Sequence, residues 1–232
     1  MSVVLDHLVV AAATLAQGVQ WCEATLGITP GPGGKHPLMG THNRLVKLST
    51  VAFPDAYLEI IAIDPEAPAP LRARWFGLDD VALQSSLRAS GPRLIHAVAR
   101  STMLDMHRWG LITVGHKPGD PVAAGRDTPQ GRLEWEILVR EDGQLNCGGA
   151  LPTLIQWKGP HPAQHMADQG VSLLTLELRG VPARAKDVLR LRGVQVLAEA
   201  GVVLTATLAT PRGPVTLRSG SGSSSGSGSA TP

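Results

Sequence analysis

The sequence predicts an α+β domain built by repetition, and three observations carry that prediction. Short strand-like and helix-like segments alternate along the 232 residues. Their order (strand, helix, then further strands) occurs twice in full and a third time in a shorter form, with little residue identity between passes. Apolar residues make up 43% of the chain, enough to bury a real core.

The first pass begins with a strand at 5–10 (LDHLVV), whose alternation puts Leu5, His7 and Val9 on one face. Thr14 fits a helix N-cap. Leu15, Val19, Cys22 and Leu26 form an apolar stripe, and Gly27 suits the residue just past the helix end. A turn cluster at 30–34 (PGPGG) precedes strands at 43–49 (NRLVKLS) and 56–63 (AYLEIIAI). The prolines of 65–70 make a connector. RWFG at 74–77 joins a cation to two rings and is expected to plug one end of the fold, and 81–89 reads as a short helix. The second pass has strands at 94–99 (LIHAVA), 133–139 (LEWEILV) and 151–157 (LPTLIQW), with a short helix at 103–109. The third has strands at 173–178, 202–208 and 215–218, a turn TPRG, and a helix at 182–191 with Pro182 in its first position. The expected organisation is one domain over 1–218: module one at 3–64, linker 65–92, module two at 93–160 and a partial third module at 170–218. A disordered Gly/Ser tail is expected over 219–232.

Composition narrows the function classes. A net charge of +2, with no dense basic patch and no aromatic ladder, gives no reason to expect nucleic acid. No apolar run is long enough to span a bilayer, so no membrane partner is expected. MSVVLDHLVV enters a strand pattern without a cationic lead, which argues against a signal peptide. Two cysteines make no disulfide framework, and a reduced, cytoplasmic protein is the expectation. HExxH, GxSxG, Walker and dinucleotide motifs do not occur, so no nucleotide cofactor is expected.

The chemistry-bearing candidates fall on strand faces. His7 and Glu59 lie on otherwise apolar faces, and a buried carboxylate needs a partner or a metal. Together they offer nitrogen and oxygen ligands for a divalent ion, and equally a hydrogen-bonded pair. His96 and Gln156 hold comparable places in the second pass and would complete a four-residue set. Glu134 and Glu136 share one face of their strand, either lining a cavity as a general base or lying in solvent. The stretch KHPLMGTHNR (35–44) supplies His36, His42, Asn43 and Arg44 as candidate ligand-binding residues.

LDHLVVAAATL at 5–15 resembles the opening of the vicinal oxygen chelate superfamily, which includes glyoxalase I, fosfomycin-resistance proteins and extradiol dioxygenases. HPLMGTHNRLVKL, YLEIIAIDPEAPAP, RWFGLDD, LPTLIQWKGPHPA and TPRGPVTL are more specifically similar to the glyoxalase-like domain group. The resemblance implies βαβββ modules closing a cupped, barrel-like mixed sheet around a cavity for a small molecule. It implies one divalent metal ion (Zn, Fe, Mn or Ni) held by His7, Glu59, His96 and Gln156. The TPQG turn at 128–131 nominates Glu134 or Glu136 as the last-strand ligand instead of Gln156. Two readings stay open: a metal-dependent lyase, isomerase or dioxygenase, and a metal-free binding protein that holds a small anion with Arg44 and the histidines. Repeated modules and sheet edges also lead us to expect a homodimer.

Overall fold

The computed structural model describes residues 3–197, 201 and 203–220. Val202, the first residue of an expected strand, and 221–232 of the expected tail lie outside the described residues.

One eight-stranded sheet forms the body, in the order β2-β3-β4-β1-β5-β8-β7-β6. Module one is β1 (Val4–Ala11), α1 (Leu15–Leu26), β2 (Lys35–His36), β3 (Thr41–Lys47) and β4 (Tyr57–Ile63). After a single 3-10 turn at Trp75–Gly77 and the linking helix α2 (Val81–Ser90), module two repeats the plan. It comprises β5 (Arg93–Arg100), α3 (Leu104–Thr113), β6 (Asp120–Thr128), β7 (Gly131–Val139) and β8 (Thr153–Lys158). β1 runs parallel to β4, β5 runs parallel to β8, and β1 and β5 meet antiparallel at the centre. The fold is therefore the repeated βαβββ, cupped mixed sheet that the resemblance implies.

The helices form where their caps and stripes direct. Thr14 accepts a hydrogen bond from the Gln17 amide at 3.1 Å, and Gly27 closes α1 with φ 76°. Cys22 and Leu26 face the sheet and are fully buried. The alternation of β6 is weak, since AAGRD at 123–127 lacks β-branched residues, and this strand was not expected from the sequence. Its pairing with β7 along nine residues holds it in place.

Two apolar layers result. Behind the sheet, Leu8, Val10, Leu58 and Ile60 pack against α1, α3 and a second sheet. That sheet has the order β10-β9-β11-β12, built from β9 (Ser172–Arg179), β10 (Gln195–Leu197), β11 (Leu204–Thr210) and β12 (Gly213–Arg218). It is accompanied by α4 (Ala183–Leu189), for which Pro182 is the cap rather than the first helical residue. Inside the cup, Val9, Ile61, Val98, Trp135, Ile137 and Ile155 surround Trp75 and Phe76. The RWFG segment thus inserts its two rings into the concave side. Each fully buried leucine or isoleucine contributes roughly 1.5–3 kcal/mol, so both layers hold the sheet in its curved form.

β1 departs from regular alternation. Its pairing with β5 shifts between Leu5 and His7. Leu5 belongs to the layer behind the sheet while His7 faces the cup, so the two do not share a face as expected. A β-bulge at Asp6 is the reason, since one extra residue reverses the side of everything before it.

Candidate functional site

The cup encloses a small inner chamber of about 30 Å³, lined by His7, Asn43, Glu59, Trp75, Arg126 and Trp157 among others. Because of the bulge, two consecutive charged-type residues lie together on the cup side, and of these His7 lines the chamber. Asp6 Oδ1 lies 2.7 Å from His7 Nδ1, and its Oδ2 accepts from Trp157 Nε1 at 2.9 Å and lies 3.0 Å from His161 Nε2. Burial works against the Asp6 charge, but hydrogen bonds from His161 and His7 outweigh it and hold the carboxyl well below the usual carboxylate range. An ionised Asp6 only accepts, so His7 carries its proton on Nδ1. The Nε2 side then faces Glu59, whose Oε2 is 3.6 Å away. Tyr57 stacks on His7 at 4.7 Å between ring centroids. Burial, with Asp6 and Glu59 nearby, pushes its phenol well above the ordinary value, so it stays neutral.

Glu59 is held from its other side. Asn43 Nδ2 donates to Glu59 Oε1 at 2.6 Å, and Asn43 Oδ1 accepts from the Gly34 amide at 2.8 Å and from Arg126 Nη1 at 3.3 Å. Two donors on the oxygen settle which way the amide points. Arg126 comes from β6 and Asn43 from β3, so this contact draws the far ends of the sheet together. His36 lies 3.5 Å from Asn43 through Nε2 and 3.1 Å from Thr41 Oγ1 through Nδ1. Burial, reinforced by Arg126, lowers its pKa to about 3, which keeps it neutral.

Two donors around the chamber have no acceptor among the described residues. The indole N–H of Trp75 and the Nε–H of Arg126 are both buried and unpaired. Unsatisfied buried donors are uncommon and costly, about 1–3 kcal/mol each.

Of the stretch 35–44, His36 and Asn43 enter the chamber. His42 lies half-buried on the opposite face, 3.9 Å from Asp64, and Arg44 is exposed, so neither reaches the cup. Strand alternation separates them. Glu134 and Glu136 are also on the outer face: Arg132 pairs with the first at 3.2 Å and Lys158 with the second at 2.8 Å, while Leu133, Trp135 and Ile137 face inward. Gln156 sits opposite Glu136 on that outer face and accepts from the Leu104 amide at 2.9 Å, so it caps α3 rather than serving the cup.

The register explains what became of the second half of the set. Across β1 and β5, His7 pairs with Val98 and Val9 with His96, which makes His96 the twofold counterpart of His7. On β4, Glu59 pairs with Val9, and on β8, Thr153 pairs with Val98. The counterpart of Glu59 is therefore Thr153. His96 lies 2.9 Å through Nε2 from Thr153 Oγ1, packs on Phe76 and is absent from the chamber lining. Burial, with His7 nearby, lowers its pKa to about 3. Aligning AYLEIIAI with the residues up to LIQW places Glu59 over Thr153 and Ala62 over Gln156, a signal available in the sequence. The four residues His7, Glu59, His96 and Gln156 do not converge, and among the described residues no group of three His, Cys, Asp or Glu side chains could hold a metal ion.

Residues 5–191 match the glyoxalase-like domain family. The chain belongs to that family, within the vicinal oxygen chelate superfamily. The family member's fold is similar to that of a hypothetical protein from Staphylococcus aureus, at 14% identity and a TM-score of 0.57, covering 93% of this chain and 85% of that one. Streptomyces coelicolor methylmalonyl-CoA epimerase in complex with 2-nitronate-propionyl-CoA is more distant, at 18% identity and a TM-score of 0.41, covering 66% of this chain and 94% of that one. A comparison with curated proteins finds no match.

Proposed function

We propose that this glyoxalase-like protein binds a small oxygenated acid in its cup and moves a proton on it, as an isomerase or lyase. One observation carries the reading: an acid–base pair, His7 and Glu59, shares a chamber with two buried donors, on Trp75 and Arg126, that lack an acceptor. A ligand carbonyl or carboxylate oxygen supplies that acceptor. Glu59 takes the proton from the carbon beside the carbonyl. The C–H electron pair becomes a C=C bond as the carbonyl π pair moves to the oxygen, giving an enolate whose charge the donors stabilise. Glu59 then returns the proton to a different carbon of the conjugated enolate (isomerase), or the enolate's electron pair expels a β-substituent (lyase). Asp6 holds the His7 ring and Asn43 holds the Glu59 carboxyl, so both act by positioning.

The test is deuterium uptake from D2O into a panel of 2-oxo and 2-hydroxy acids, followed by proton NMR. The expected result is exchange that falls by about 10²-fold or more in Glu59→Gln. In Trp75→Phe, ligand binding is expected to weaken by about tenfold. Exchange that is equal in Glu59→Gln and wild type overturns the reading.

A metal-dependent reading keeps one observation in its favour. Asp6 fixes the His7 proton on Nδ1, as outer carboxylates do for metal-bound histidines, and this leaves Nε2 directed at Glu59. Elemental analysis of wild type, His7→Ala and Glu59→Ala, purified without chelator, decides it. About one ion per chain, lost in both variants, supports a metal site, and none after addition of Zn, Fe, Mn or Ni removes it.

A further inference from the structure

The inner chamber is too small for a whole substrate. Its 30 Å³ admits one or two water-sized groups. Directly outside lies a vestibule of about 480 Å³, within the roughly 300–1,000 Å³ of small-molecule sites. Leu45, Arg126 and Pro162 line both spaces, so the two adjoin at these three residues.

The vestibule has a definite chemistry. Its walls are largely apolar, with Leu45, Leu133, Pro129, Pro160, Pro162 and Met166 contributing. Among the described residues, the charged side chains that line it are Lys47, Arg126 and Arg132, with no Asp or Glu. Arg132 is committed to Asp127 and Glu134 outside. Among the described residues no carboxylate lies within ion-pair distance of Lys47 or Arg126. An apolar trough whose Lys47 and Arg126 no described carboxylate neutralises, with that arginine also lining the inner chamber, complements one kind of molecule.

From this juxtaposition of chamber, Arg126 and vestibule, we infer that the ligand is an elongated monocarboxylic acid with a hydrocarbon body. Its oxygenated head enters the inner chamber, its carboxylate meets Arg126 at the junction, and its chain lies along the vestibule. The inference rests on the cup being the ligand site, as proposed above, and adds the substrate class.

Three tryptophans, Trp75, Trp135 and Trp157, line the inner chamber, so head-group binding is read by intrinsic fluorescence. The experiment titrates the full chain with straight-chain 2-oxo acids from three to ten carbons. We expect Kd to fall by about three- to fourfold per added methylene until the vestibule is filled. Arg126→Gln weakens every member about tenfold or more. Met166→Ser and Lys47→Glu each reduce the ratio of the three-carbon to the eight-carbon Kd, and thermal melts verify that they fold. A Kd independent of chain length, a ratio unmoved in both vestibule variants, or no binding by any member overturns the inference. The two proposals fail separately. Glu59-dependent exchange without chain-length dependence sinks only the elongated class. Chain-length-dependent binding without Glu59-dependent exchange sinks only the proton transfer.

Discussion

Asp6 shows how one residue sets the electrostatics of the chamber. It is fully buried and survives as an anion because three side-chain donors surround it. A carboxyl held below its ordinary value of 3.8 adds stability above that pH, and the gain disappears as pH falls beneath it. Asp6→Asn removes the charge at every pH. The expected result is a loss of about 3 kcal/mol at neutral pH, read by urea denaturation. It also frees the His7 tautomer, and nitrogen-15 NMR of the ring should show a proton no longer confined to Nδ1. An unchanged ring spectrum would mean that Asp6 does not position His7.

At the scale of elements, close approaches decide geometry. A Cβ on Gly33 would stand 2.0 Å from the Asn43 carbonyl oxygen and 2.4 Å from its side-chain oxygen. The 30–34 turn can therefore lie against β3 only with glycine there. Gly33→Ala should displace Asn43, weaken its hold on Glu59 and reduce ligand affinity several-fold in a fluorescence titration. Gly18 in α1 approaches β4 in the same way, with a Cβ position 2.5 Å from Ile60 Cγ2. The helix would gain about 0.5–1 kcal/mol from alanine, but overpacking of about 1–3 kcal/mol exceeds it. Gly18→Ala is expected to lower the melting temperature without changing ligand affinity, since α1 lies behind the sheet.

The whole molecule is a twofold device with unequal halves. Module one keeps His7 and Glu59 at the chamber, while module two has His96 and Thr153 bonded to each other. His36 and His96 both stay neutral in the folded chain down to about pH 3. In the unfolded chain they take up protons below about 6.5, so the unfolded state binds more protons between those values. Stability therefore falls as pH drops through that window, by up to about 1.4 kcal/mol per pH unit for each histidine. Denaturant midpoints measured from pH 7 to pH 4 should show this slope, to which His42 and His107, also lowered by burial, add, and His96→Gln should flatten it in part. A slope unchanged in that variant would exclude His96 as a source.

The family resemblance implied the two-module cup, and what the sequence by itself determined was the repeated α+β plan, the caps of α1 and the pair His7 and Glu59. These rest on local periodicity and on neighbours in the chain. His36 and Asn43 were also legible within 35–44, though alternation then took His42 and Arg44 to the other face. Only the tertiary structure decided the rest. The bulge that brings Asp6 beside His7 exists as a mismatch between β1 and β5. Arg126 comes from a strand held by its partner rather than by its own propensity. His161 and Trp157 reach Asp6 from more than 150 positions away. Gln156 faces α3, and Thr153 takes the place of the second acid, because register sets the facing of a strand residue and depends on two strands at once.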